Sequence, residues 1–158
     1  TPVDRNNFVL QTGTIVGMTP LMLMIQDLRH IVRFIANHAD YAGKRLFLYG
    51  SGDAAVACLY HAIMDEKVAG VVTEQLPTTH LRDGYLPGIL RVLDIEQASG
   101  MIAPRPIGIA DQKPAKNLWC TRVYQRLGCP ENFVVTCQSA ATAMEKVIRI
   151  AAQQDTAL

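Results

Sequence analysis

The sequence predicts an α/β fold, a parallel sheet with helices on both faces. Three observations carry that expectation. Short runs at 46–49, 68–73, 107–110 and 133–136 are almost wholly apolar or β-branched, as strands buried on both faces should be. The segments between them space their apolar residues at helical intervals. The two patterns alternate along the chain, which calls for right-handed crossovers and about four parallel strands.

Taken in order, residues 1–17 carry no periodic pattern beyond a short extended piece at 8–10. Pro20 stands where a helix can begin. Over 21–38, Leu21, Met24, Ile25, Leu28, Ile31, Val32 and Ile35 form one stripe, with Asp27, Arg29, Arg33 and Asn37 off it. Gly43 ends the connection to the first strand. Gly50, Ser51 and Gly52 then force a tight turn into a helix over 53–64, whose Ala54, Ala55, Ala57 and Cys58 allow close approach to a sheet. After the strand at 68–73 comes a loop over 74–84, then short helical pieces at 87–93 and 95–102. Pro104 and Pro106 frame the third strand. A helix over 116–127 is expected to turn Trp119, Val123 and Leu127 to one side, and Gly128 closes it. Ser139 caps a last helix with Ala140, Met144, Val147, Ile148 and Ala151 inward. There is no internal repeat and no low-complexity segment.

The 158 residues fit one domain. Apolar residues make up 49%, charged residues 18%, and the mean hydropathy is +0.13. That is apolar for a domain of this size and predicts surface covered by something outside the chain. The formal net charge of +1, without a long basic cluster, argues against nucleic acid and anionic membrane as partners. The longest apolar stretch, 18–24, is interrupted by Thr19 and Pro20 and falls far short of the roughly 20 residues of a membrane span. The sequence opens at Thr1 with no signal pattern, which suggests a processed chain or a piece of a longer product. Cys58, Cys120, Cys129 and Cys137 lack metal-ligand spacing, so no metal site is predicted. Cys58 reads as a small buried hydrophobe. Pairing of Cys120 with Cys129, or of Cys129 with Cys137, stays open, and with it the compartment.

Residues 45–58 organise the rest. A strand turning sharply into a helix presents its bend at the carboxyl edge of a parallel sheet, where such sheets bind ligands. Two chemistries use that bend: the nucleophile elbow G-x-S-x-G and the dinucleotide loop G-x-G-x-x-G/A. Gly50, Gly52 and Ala55 match the second, and Glu74, near the roughly 20-residue offset, could bind a ribose. Against it, Asp53 sets a negative charge where a pyrophosphate would sit; the helix dipole explains Asp53 more simply. Ser51 reads as a nucleophile or, more simply, as a turn residue. His80 follows the second strand on the same edge and is the one histidine singled out for a site, against the plainer reading of a solvated loop histidine. His30 and His61 read as surface or packing residues, Trp119 as core, and Met18, Met22 and Met24 as core or contact surface.

The order of parts resembles the carboxyl-terminal portion of an α/β-hydrolase, the acetyl-xylan-esterase and prolyl-oligopeptidase-like branch. Four pieces over residues 13–137 carry the likeness. These are 26–35 before the strand, 45–54 as strand and elbow, 65–72 as entry to the next strand, and 86–91 with 102–106 leading to the strand that carries the acid. The resemblance implies an ester- or peptide-hydrolase scaffold with Asp111 near the acid position. Aligned as Gly50-Ser51-Gly52-Asp53-Ala54, however, the elbow puts Gly52 at the nucleophile. Sliding it onto Ser51 sets Tyr49 and Asp53 where small residues belong. His30, His38, His61 and His80 all precede Asp111, and Thr136, Cys137 and Gln138 stand where the resemblance implies the histidine. The oxyanion loop and the strands beyond 45–49 would fall before Thr1.

The expectation is therefore one truncated α/β-hydrolase-like domain over 1–158, catalytically silent, without cofactor or metal. Another chain, or a second copy of this one, is expected to cover the open edge of strand 45–49. Two alternatives remain: an active carboxylic-ester hydrolase using Ser51, and a dinucleotide-binding module using Gly50-Ser51-Gly52-Asp53-Ala54-Ala55.

Overall fold

A computed structural model describes residues 12–81, 85–110 and 118–155. Thr19 begins the first long helix: its hydroxyl accepts from the Met22 amide at 3.3 Å, and Pro20 takes the first helical position, where a missing N–H costs nothing. The elements are α1 (Pro20–Asn37), β1 (Leu46–Ser51), α2 (Asp53–Met64), β2 (Val68–Glu74), α3 (Ile95–Met101), β3 (Ile107–Ala110), α4 (Leu118–Arg126), β4 (Phe133–Thr136) and α5 (Ala140–Asp155). The sheet has the order β1-β2-β3-β4, and every pair is parallel. The third and fourth strands keep the bounds their apolar runs predict. The first and second run on to Ser51 and Glu74, because these residues still pair across the ladder.

Alternation along the strands divides two cores. On one face Leu48, Val68, Val71, Ile107 and Ile109 pack with Val56 and Leu59 of α2, Ile95 and Ala98 of α3, and Cys120 and Tyr124 of α4. On the other, Val72 and Ala110 meet Ala143 and Val147 of α5, with Phe47 at the margin. Helices thus lie on both faces, but unequally. α5 packs across β2, β3 and β4, and leaves the β1 side of its face open. α1 packs mainly along α2 rather than on a strand.

The structure corrects several stripes. In α1, Leu21 and Val32 are buried, whereas Met24, Ile31 and Phe34 are exposed; the helix packs mainly on α2, so the apolar residues turned from it stay uncovered. In α4 Cys120 and Tyr124 are buried, Trp119 and Val123 are half-buried, and Leu127 is exposed. Tyr124 can be buried because its hydroxyl donates to the Arg105 carbonyl at 2.7 Å. Trp119 instead lays its ring against Gly100. In α5 the buried line is Ala143, Val147 and Ala151, while Ile148 turns outward. The four cysteines are all free thiols, and Cys58 is buried. Burial pushes the Cys58 thiol up to about 11.

Arg105, just before β3, ties the helix layer to the sheet. Its guanidinium donates to the carbonyls of Ala62 at 2.7 Å, Asp65 at 3.1 Å and Val68 at 2.8 Å, joining the end of α2 to the start of β2. No helix among the described residues is long and apolar enough to cross a membrane.

Candidate functional site at the carboxyl edge of β1

The bend between β1 and α2 is sharp because two glycines divide the work. Gly52 holds φ 58° and ψ −127°, a conformation that side chains disfavour. A Cβ there would meet nothing within 4 Å. Gly50 is needed for a different reason. Its Cβ would lie 2.4 Å from the Ala54 carbonyl oxygen and 2.6 Å from the Ala55 nitrogen, so the first turn of α2 packs directly on the strand. The Gly52 amide donates to the Glu74 carbonyl at 3.0 Å and fixes the bend to β2. The strained position of the bend is therefore occupied by Gly52, a residue with no reactive atom. Asp53 opens α2 in its first turn.

Ser51 is the last residue of β1, exposed, and paired in register with Glu74. Leu48 belongs to the core beneath α2, whereas Phe47 belongs to the core beneath α5. By the two-residue alternation, Tyr49 and Ser51 follow Phe47 onto the side away from α2. The Tyr49 hydroxyl donates to Glu74 Oε2 at 2.7 Å, and that hydrogen bond, with the nearby carboxylate charge, raises the phenol above its ordinary range. Glu74 is thus engaged by a tyrosine of the neighbouring strand.

His80 overturns the reading of a solvated loop histidine: it is only 4% exposed. Its Nε2 lies 2.8 Å from the Tyr60 hydroxyl of α2, and its backbone amide donates to Asp94 Oδ1 at 2.8 Å. The second Asp94 oxygen accepts from the Thr79 hydroxyl at 2.6 Å. Asp94 also caps α3, accepting from the Ile95 amide at 2.8 Å, while Gln97 accepts from the Asp94 amide at 3.0 Å. Burial pulls the Asp94 carboxyl upward, but these donors hold it below its usual range. Burial, with Asp94 nearby, pushes Tyr60 up to about 12, so its hydroxyl stays protonated and can donate to His80. The cluster pins the loop after β2 to α2 on the helix side. Ser51 points to the opposite side, and it makes no hydrogen bond to a histidine among the described residues. Asp111 lies outside the described residues.

Of the named site residues, the structure brings Gly50, Ser51, Gly52 and Glu74 together at the end of β1 and ties His80 to α2. Sequence reading missed Tyr49, Tyr60, Thr79 and Asp94. Asp94-x-x-Gln97 ahead of an apolar helix is a capping-box signature that could have marked the last of these. The other three depend on contacts between strands and between loop and helix, which no local pattern announces. Among the described residues no group of three or more histidine, cysteine or acidic side chains is placed to hold a metal ion.

Compared with known proteins, the chain matches no family model, no curated protein and no solved structure.

Proposed function

We propose that this chain is an α/β-hydrolase-like unit without covalent catalysis, serving as a structural or binding subunit completed along β1 by strands from another chain. The observation that carries the reading is Gly52, which takes the strained bend between strand and helix with φ 58° and ψ −127°. That is where an elbow enzyme holds its nucleophile, and glycine offers no oxygen or sulfur to attack a carbonyl. Ser51, one residue earlier, lies on the far side of the strand from His80, which does not support a hydroxyl–imidazole relay between them among the described residues.

Completion along β1 is supported from two directions. β1 pairs only with β2 among the described residues, so alternate backbone groups on its other side are unmatched. α1 in turn exposes Met24 at 42%, Ile31 at 54% and Phe34 at 67%, apolar surface that a second chain would cover. A further strand laid along β1 would satisfy these backbone groups. Strand addition of this kind takes its affinity from main-chain hydrogen bonds.

The test has two readouts on the purified protein. A fluorophosphonate probe is expected to leave it unlabelled; labelling that disappears in Ser51→Ala overturns the silent reading and favours an ester hydrolase using Ser51. Native mass spectrometry is expected to show a complex with a second chain, and a stable monomer alone counts against completion along β1.

A further inference from the structure

A cleft of about 580 Å³ opens between α1 and the carboxyl-terminal half of α2, closed on its third side by Leu86 and Ile89. Ligand pockets commonly span roughly 300–1,000 Å³. Its walls are mainly apolar, with Met22, Ile25 and Met64 facing Leu86 and Ile89. It is not the bend at β1: from Asp53 to His61 α2 rises about 12 Å.

His61 is the unusual member of the lining. It is only 3% exposed, yet neither ring nitrogen has a hydrogen-bond partner. Nε2 lies 3.7 Å from Asp65 Oδ2, too far for a hydrogen bond. Buried polar groups are normally matched, so an orphaned imidazole beside a cavity marks a missing partner. The neighbouring Tyr60 hydroxyl is taken by His80. Two charged side chains line the cleft, Arg29 and Asp65, of opposite sign. Their charges offset one another, so the cleft as a whole carries no net charge to draw in an ion.

We propose that this cleft binds an uncharged, largely aliphatic small molecule carrying one hydroxyl or carbonyl group, which hydrogen-bonds the imidazole of His61. A neutral imidazole donates at one nitrogen and accepts at the other, so it can serve either group. Burial, and Arg29 nearby, lower the His61 pKa against the opposing pull of Asp65, which keeps the ring in that neutral form. Both nitrogens are shielded from water, so engagement turns the ring toward the cleft. This site is independent of the proposed completion along β1.

The experiment titrates the full chain with hexan-1-ol and, separately, hexanoate. It follows the His61 ring resonances by NMR, assigned by their loss in His61→Phe. Hexan-1-ol is expected to give a saturable shift at His61 and to bind more tightly than hexanoate. Binding in His61→Phe should weaken about five- to tenfold, the worth of one hydrogen bond. Met64→Trp, at a residue 64% exposed and therefore tolerant of substitution, should fill the cleft and abolish the shift. No saturable shift, unchanged affinity in Met64→Trp, or tighter binding of hexanoate each overturns the proposal. If His61→Phe does not fold, Met64→Trp and the hexanoate comparison still decide it.

Discussion

The two glycines at the bend make a prediction in which sterics and backbone strain can be told apart. Adding a methyl group at Gly50 brings it to 2.4 Å from the Ala54 oxygen and 2.5 Å from the Ala54 carbon. Both are backbone atoms in the first turn of α2, so neither can rotate away. Relief requires the helix to lift from β1, exposing part of the core that Val56 and Leu59 complete. Overpacking by one methylene typically costs about 1–3 kcal/mol, and Gly50→Ala belongs at or above the top of that range. Gly52→Ser differs in kind. Its side chain has open space, and the cost is confined to holding φ 58° and ψ −127°, about 1–3 kcal/mol. At roughly 2–4 °C per kcal/mol for a chain of this length, Gly52→Ser should lower Tm by about 2–12 °C and Gly50→Ala by clearly more. Thermal and urea denaturation measure both. Equal or greater loss in Gly52→Ser would refute the division of roles. The same variant carries a chemical corollary: the hydroxyl now stands at the bend, but His80 is held by Tyr60 on the helix side. A fluorophosphonate probe should therefore leave Gly52→Ser unlabelled too.

Other consequences follow from the buried polar groups. Arg105→Met removes donors to the carbonyls of Ala62, Asp65 and Val68 and should cost about 3 kcal/mol, seen as a shift of the urea midpoint with unchanged slope. Tyr60→Phe leaves His80 without its 2.8 Å partner and should destabilise by about 1–3 kcal/mol, raising hydrogen exchange of the Leu81 amide before that of β2. The lowered pKa of His61 means that the unfolded chain binds more protons below the ordinary histidine value of 6.5. Stability is then full above that pH and falls as pH drops through it, and His61→Phe should flatten this part of the pH–stability curve. Thiol titration of the native protein should modify exposed Cys137 first. Cys58 and Cys120, pushed by burial up to about 11 and about 12, should react only on unfolding.

How much of this was legible beforehand depends on the range of the interaction. The apolar runs at 107–110 and 133–136 gave strand bounds to the residue; the first is buried along its whole length, as a strand covered on both faces should be. The Gly50–Gly52 bend was equally plain, since only glycine accepts both the crowding and the backbone conformation found there. The stripe of α1 was not, because periodicity counts apolar residues without knowing how many neighbours a helix has. Met24 and Ile31 continue the pattern and still face outward.

The sequence by itself determined the class of fold, the place of the sharp turn and the absence of a reactive group at its strained position. These follow from properties local to a few residues: polarity, side-chain volume and allowed dihedral angles. Only the tertiary structure decided that Ser51 and His80 lie on opposite sides of the strand. It alone decided that His80 is bound by Tyr60 and that His61 is buried beside a cleft with its nitrogens unmatched. Each of these depends on residues 20 or more positions apart, or on which face of a pleat meets which helix, and long-range packing rather than local pattern sets both.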